Sequence, residues 1–136
     1  MPEPNVLVVE DDDTIRRLLV EYLRSHVRIQ VESARDGVEA LHLISTRPWR
    51  VVLLDVMMPK MSGVDLLSSV QAFRADPSLQ RMRVSDWPAI FVITATSESV
   101  LPSDVFNQRF PGLVHGVFRK PLNVAALAET LMRYLT

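Results

Sequence analysis

Cysteine is absent from this chain of 136 residues. Its absence excludes disulfides, zinc–thiolate sites and thiol catalysis, and it fits a reducing compartment. A basic surplus is also missing: 15 Lys and Arg stand against 16 Asp and Glu, a formal net charge of −1. That balance speaks against a nucleic-acid footprint, and no long block of like charge marks a tail. No apolar stretch approaches the roughly 18 residues that a membrane span needs. The opening MPEPNVLVVEDDD has no basic leader before its short apolar run, so no signal peptide is expected. There is no repeat, low-complexity tract or linker. The three histidines, His26, His42 and His115, share no metal or catalytic spacing and read as surface or interface positions.

What is present is one domain's length of chain, residues 1–136, with 48% hydrophobic residues to build a core. Short apolar runs alternate with amphipathic stretches. Residues 5–9 form a continuous apolar strand. Residues 13–24 place Ile15, Leu18, Leu19, Tyr22 and Leu23 on one helical stripe. Residues 27–32 alternate like a partly exposed strand, and 37–46 set Val38, Leu41 and Ile44 on one helical face. Residues 51–54 are a second apolar strand, followed by a helix over 62–74 whose Ser-Gly-Val-Asp start resembles a capping box. Residues 89–93 and 113–118 are further strands. Pro102 interrupts any helix begun at Ser97, so a helix after Pro102 is the better reading of 97–109. Asn123 caps a last helix with Val124, Leu127, Leu131 and Leu135 inward.

The order βαβαβαβαβα predicts a parallel sheet with helices on both faces, its strands buried on both sides. Ligands in such sheets bind at the carboxyl ends of the strands. The residues following each apolar run are therefore the informative ones. They are Glu10 and Asp11, then Asp55, then Thr94, then Arg119 and Lys120. In a doubly wound sheet these ends share one edge, so three carboxylates, one hydroxyl and one amine converge there. Two unit charges ~4 Å apart at an effective dielectric near 20 repel by about 4 kcal/mol. Either one carboxylate keeps its proton or a cation sits among them. Oxygen ligands without histidine or cysteine suit Mg²⁺, with Mn²⁺ as the alternative. A central carboxylate can attack phosphorus and become an acyl phosphate, and Asp55 is the natural choice.

The stretches VLVVEDD (6–12), VVLLDVMMPKMSG (51–63), FVITAT (91–96) and FRKPLN (118–123) together resemble the receiver domain of two-component response regulators. The resemblance spans almost the whole chain. It implies a flavodoxin-like (βα)₅ fold of the CheY type, a doubly wound five-stranded parallel sheet in strand order 2-1-3-4-5. It implies Asp55 as phosphoacceptor, Glu10 and Asp11 as Mg²⁺ ligands with Asp55, and the Met57 backbone carbonyl as the third protein ligand. Thr94 is implied to bind the phosphoryl group and move toward it. Lys120 is implied to pair with a phosphoryl oxygen, with a cis peptide before Pro121. The implied partner is a histidine kinase or histidine phosphotransfer protein, in the cytoplasm, without direct contact to nucleic acid or membrane. Phosphorylation-dependent homodimerisation is left open, as is the downstream target. The implied activity is self-phosphotransfer and autodephosphorylation rather than conventional enzyme turnover.

The sequence departs from the family pattern in three places. Val117 stands where the family often has Tyr or Phe, three residues before the lysine. The segments RADPSLQRMRVSDWP and VLPSDVFNQRFPGLVHG are both longer than expected. Two rival functions have their own signatures. A phosphohydrolase with an aspartyl nucleophile would carry a second acid two residues beyond it, where Met57 stands. A pseudo-receiver would lack Asp55 or Lys120, and both are present. Several residues receive plainer readings. Asp12 and Asp13 belong to a solvated loop, with Asp13 as helix cap, and Met57, Met58 and Met61 pack the loop. Gly63 serves the helix start, and Pro59 helps shape the loop that presents Asp55. Trp49 and Trp87 cover the amino-terminal edge of the sheet, and the arginines at 16–17 and 81–83 are solvated. No output domain follows within the 136 residues, which fits a stand-alone receiver or a piece of a longer protein equally.

Overall fold

The computed structural model describes residues 5–26, 29–58, 60–76 and 87–135. Ten elements alternate as the residue pattern predicts: β1 (Asn5–Val9), α1 (Asp13–His26), β2 (Gln30–Ala34), α2 (Gly37–Thr46), β3 (Val51–Asp55), α3 (Gly63–Ala75), β4 (Ala89–Thr94), α4 (Asp104–Arg109), β5 (Val114–Arg119) and α5 (Val124–Leu135). The strands form one sheet in the order β2-β1-β3-β4-β5, and every pairing is parallel. This is the flavodoxin-like arrangement expected from the sequence. Register is regular except for a shift between Ile90 and Phe91 where β4 meets β5.

Period-two alternation sends the strand side chains to two separate cores. Val6, Val8, Val51, Leu53, Phe91 and Ile93 meet Leu19 and Leu23 of α1 and Leu127, Leu131 and Leu135 of α5. Leu7, Val9, Val52, Leu54, Ile90 and Val92 meet Ala40 and Ile44 of α2, Leu66, Leu67 and Val70 of α3, and Phe106 of α4. Burial on both faces explains why the strands are continuous apolar runs rather than alternating ones.

The helix after Pro102 is present and short, as expected. Ser62 caps α3, accepting from Asp65 N at 3.2 Å, and Asn123 caps α5, accepting from Ala126 N at 3.1 Å. Four expectations need correction. β2 lies over Gln30–Ala34 rather than 27–32, and residues 27 and 28 fall outside the described residues. Asp12 rather than Asp13 caps α1, its Oδ1 accepting from Ile15 N at 2.9 Å. Leu18 is 54% exposed, because the buried arc of α1 is centred on Leu19 and Leu23. Val38 is likewise turned out. The face of α2 that packs inward is Gly37, Ala40 and Ile44, since Gly37 must meet the backbone of Met61, where a Cβ would lie 2.5 Å from the carbonyl oxygen.

The amino-terminal edge of the sheet is closed by Trp49 and Trp87, as expected. Trp49 is buried, donates from Nε1 to Leu43 O at 2.9 Å, and carries the Arg47 guanidinium 4.4 Å above its ring. Trp87 is partly buried against the same core. Asn5 joins the segment before β3 through two bonds, donating to Pro48 O at 3.0 Å and accepting from Arg50 N at 2.8 Å. No helix among the described residues is long and apolar enough to cross a membrane.

Candidate functional site at the carboxyl edge of the sheet

Parallel register brings the carboxyl ends together. Val9 pairs with Leu54, so Glu10 and Asp55 leave the sheet side by side, and Asp55 pairs with Ile93, one residue before Thr94. Glu10, Asp55 and Thr94 are all buried, an unusual state for polar side chains. Asp11 is exposed at the rim. One carboxylate oxygen from each of Glu10, Asp11 and Asp55 lies within 4.8 Å of the others.

Lys120 enters this group from the end of β5. Its Nζ donates to Glu10 Oε1 at 2.6 Å and to Asp55 Oδ2 at 3.3 Å. Its backbone N donates to Thr94 O at 2.8 Å, which fixes the strand ends against each other. The Lys120–Pro121 peptide is cis, as the resemblance implies. The other Asp55 oxygen, Oδ1, accepts from Met57 N at 3.0 Å. Met57 itself is 67% exposed, while Met58 and Met61 pack partly into the core. Thr94 Oγ1 accepts from Thr96 N at 3.0 Å.

Burial and neighbouring charge act on both the Glu10 carboxyl and the Lys120 amine. Burial, followed by the neighbouring Asp55, raises the Glu10 pKa from 4.5 to about 8, against the opposing pull of Lys120. Burial draws the Lys120 amine down, but its bond to Glu10 and the charge of Asp55 more than offset this and leave it raised. Glu10 Oε2 is buried with no hydrogen-bond partner among the described residues. A buried carboxylate oxygen without a partner, in a cluster of hard oxygen donors, fits a divalent cation.

The loop after Asp55 is held close. Gly63 N donates to Val56 O at 2.9 Å, and a Cβ on Gly63 would lie 2.7 Å from the Asp55 carbonyl oxygen. Gly63 therefore does more than start a helix: only its bare Cα lets α3 rest on the backbone of Asp55. Lys60 adopts φ +67° within this loop, and Pro59 falls outside the described residues.

Glu10, Asp11, Asp55, Thr94 and Lys120 thus meet where the strand ends predict, with Met57 beside Asp55. Two arginines escape the sequence reading. Arg16 is buried rather than solvated, because its Nη1 donates to the Glu10 carbonyl at 3.0 Å and it pairs with Asp13. The helical stripe of α1 gives no hint of the contact to Glu10, since that partner is a backbone atom. Arg17 is exposed as expected, and residues 81–83 fall outside the described residues. Arg119, noted only as a strand-end residue, makes four contacts with the segment between β4 and α4. Nη1 donates to Thr96 O at 2.8 Å, and Nη2 donates to Glu98 Oε2 at 2.5 Å, Leu101 O at 2.8 Å and Ser103 Oγ at 3.2 Å. His42 and His115 are exposed, the latter against the rings of Phe91 and Tyr134, and the His26 side chain lies outside the described residues.

Comparison with known proteins agrees with this geometry. The protein-glutamate methylesterase/protein-glutamine glutaminase of Methanococcus maripaludis is 34% identical over 86 residues, which is 62% of this chain and 24% of that protein. The transcriptional regulatory protein SrrA of Staphylococcus aureus is 33% identical over 72 residues, 53% of this chain and 30% of SrrA. The matched region is thus between about a quarter and a third of the length of these curated relatives. Among solved structures, the response regulator protein TrrA of Thermotoga maritima, in complex with Mg²⁺-BeF, superposes with a TM-score of 0.74 at 26% identity, covering 97% of this chain and 99% of TrrA. The family model for the response regulator receiver domain matches residues 6–132, and the chain belongs to that family.

Proposed function

We propose that the chain is a phosphoacceptor switch in which Asp55 takes a phosphoryl group from a phosphohistidine of a histidine kinase or histidine phosphotransfer protein. The observation that carries this reading is the cluster itself: three carboxylates within 4.8 Å, a lysine bonded to two of them, and one buried carboxylate oxygen without a partner. Glu10, Asp11, Asp55 and the Met57 carbonyl would hold Mg²⁺, or Mn²⁺ in its place. The bound ion would screen the carboxylates and the incoming phosphoryl oxygens.

The chain's own residues do the rest. Met57 N–H and Lys120 Nζ grip opposite oxygens of Asp55, so the carboxylate meets phosphorus in a fixed orientation. A P–O bond forms to Asp55 as the P–N bond to the imidazole breaks, and the departing imidazole takes a proton from solvent. Lys120 exchanges its bond to Asp55 for one to a phosphoryl oxygen. Thr94 has its hydroxyl hydrogen free to donate to another phosphoryl oxygen. The new charge and acceptor oxygens bias the segment around residues 97–136 toward a second arrangement that a partner reads. The same groups position water for later hydrolysis. Residues 1–136 act as one receiver unit in the cytoplasm, without direct contact to nucleic acid or membrane.

Incubation with acetyl phosphate, with and without Mg²⁺, followed by intact mass measurement tests the reading. A Mg²⁺-dependent gain of one phosphoryl group, absent in Asp55→Asn, is expected. No gain in folded protein beside a competent control would leave an interaction module that is never phosphorylated.

A further inference from the structure

Arg119 and Lys120 are neighbours at the end of β5, yet their side chains work in opposite directions. Lys120 reaches Glu10 and Asp55, while Arg119 reaches the segment that leaves β4. Arg119 pairs with Thr94 across the sheet, so both ends of the contact start from one register position. Its guanidinium serves two backbone carbonyls, one hydroxyl and one carboxylate between residues 96 and 103. Glu98 is itself fixed by Ser103, accepting from its N at 3.0 Å and its Oγ at 2.8 Å. A fork with several donors in fixed geometry suits this task, and a single ammonium does not.

A continuous chain of contacts runs from the site to this clamp. Thr94 Oγ1 holds Thr96 N, and Thr96 O holds Arg119 Nη1. A Thr94 hydroxyl that turns to a phosphoryl oxygen must loosen or carry Thr96, and the Arg119 contacts then re-form around the shifted carbonyl. Val117, two residues earlier on the same face of β5, packs partly buried against the core and has no ring to swing. The segment being moved carries an exposed surface: Val100 is 74% exposed, and the Glu98 side chain 64%.

We propose that Arg119 is the positioning residue that joins the phosphoryl site to the segment between β4 and α4, through Thr96, Glu98, Leu101 and Ser103. The proposal rests on the phosphoacceptor reading above and supplies the coupling that Val117 cannot. It makes the readout of the switch electrostatic, where an aromatic rotamer would make it steric.

The test records backbone amide NMR spectra of the full chain with Mg²⁺ alone and with Mg²⁺ plus beryllofluoride, for the parent, Arg119→Ala, Arg119→Lys, Glu98→Gln and Thr94→Ala. In the parent, amides of Val56 and Met57 and those of residues 96–103 shift together. In Arg119→Ala the amides next to Asp55 still shift, at the same beryllofluoride concentration, while those of 98–103 lose most of their response. Arg119→Lys does not restore it, and Glu98→Gln lies between. Adding Arg119→Ala to Thr94→Ala produces no further loss, because both remove links of one chain. A full response of 98–103 in Arg119→Ala overturns the proposal, leaving Arg119 a structural tie. Should that variant fail to fold, Glu98→Gln and Ser103→Ala make the same comparison, and a full response in both overturns it equally. A parent in which even Val56 and Met57 ignore beryllofluoride overturns the phosphoacceptor reading, and the clamp's role with it.

Discussion

The two edges of the sheet are built on opposite terms. At the amino-terminal edge, Asn5 meets both of its neighbours' needs, and Trp49 satisfies its N–H on Leu43 under the Arg47 guanidinium. At the carboxyl edge, three carboxylates crowd one lysine, and a buried oxygen of Glu10 goes without a partner. One end is closed by two tryptophans, and the other gathers carboxylates around a single amine. The amino-terminal edge also has one such atom, Trp87 Nε1, so what sets the carboxyl edge apart is that its unpartnered atom belongs to a carboxyl group crowded by two others.

That contrast can be broken most severely at its stable end. Trp49→Ala is expected to remove about 3–5 kcal/mol of stability, read from urea unfolding, because it empties a buried aromatic site. Folded molecules of this variant should still accept a phosphoryl group from acetyl phosphate. The next largest effect belongs to the carboxyl edge. Saturating Mg²⁺ should stabilise the parent by about 2–3 kcal/mol at a hundredfold excess over its dissociation constant. Glu10→Gln should lose most of that gain in thermal unfolding while its metal-free stability at pH 6 stays within about 1 kcal/mol of the parent.

Asn5→Ala should cost about 1–2 kcal/mol by unpairing Pro48 O and Arg50 N, with no change in the Mg²⁺ response. The last effect is a slope. Glu10 keeps its proton in the folded chain up to about pH 8 but releases it near 4.5 when unfolded. The folded state therefore binds more protons between those values, and stability must fall as pH rises through that window. The metal-free parent should melt lower by a few degrees at pH 8.5 than at pH 6, and Glu10→Gln should show a flatter profile. Equal slopes in the two proteins would place the proton elsewhere.

Both the fold and the main site were legible for the same reason. Strands buried on both faces must be apolar throughout, so the first polar residue after each run marks the edge, and parallel register does the gathering. Glu10, Asp55, Thr94 and Lys120 needed no further information. Arg16 and Arg119 escaped because each is held in part by backbone carbonyls, which no residue pattern encodes. Val38 misled because an apolar residue at helical spacing need not face inward when a glycine must make the closer contact. Leu18 escaped similarly, since the apolar stripe of α1 is wider than the arc the sheet can cover.

Two glycines make close contacts around Asp55 and Met61. A Cβ on Gly37 would strike Met61 O at 2.5 Å, and one on Gly63 would strike Asp55 O at 2.7 Å. At Gly63 backbone thus rests on backbone beside Asp55, while at Gly37 the neighbours are the Met61 carbonyl and the Met61 Cβ and Cγ. The depth at which Asp55 sits is a dimension set by the main chain, like the jaw of a gauge, and a single methyl group at either glycine would reset it.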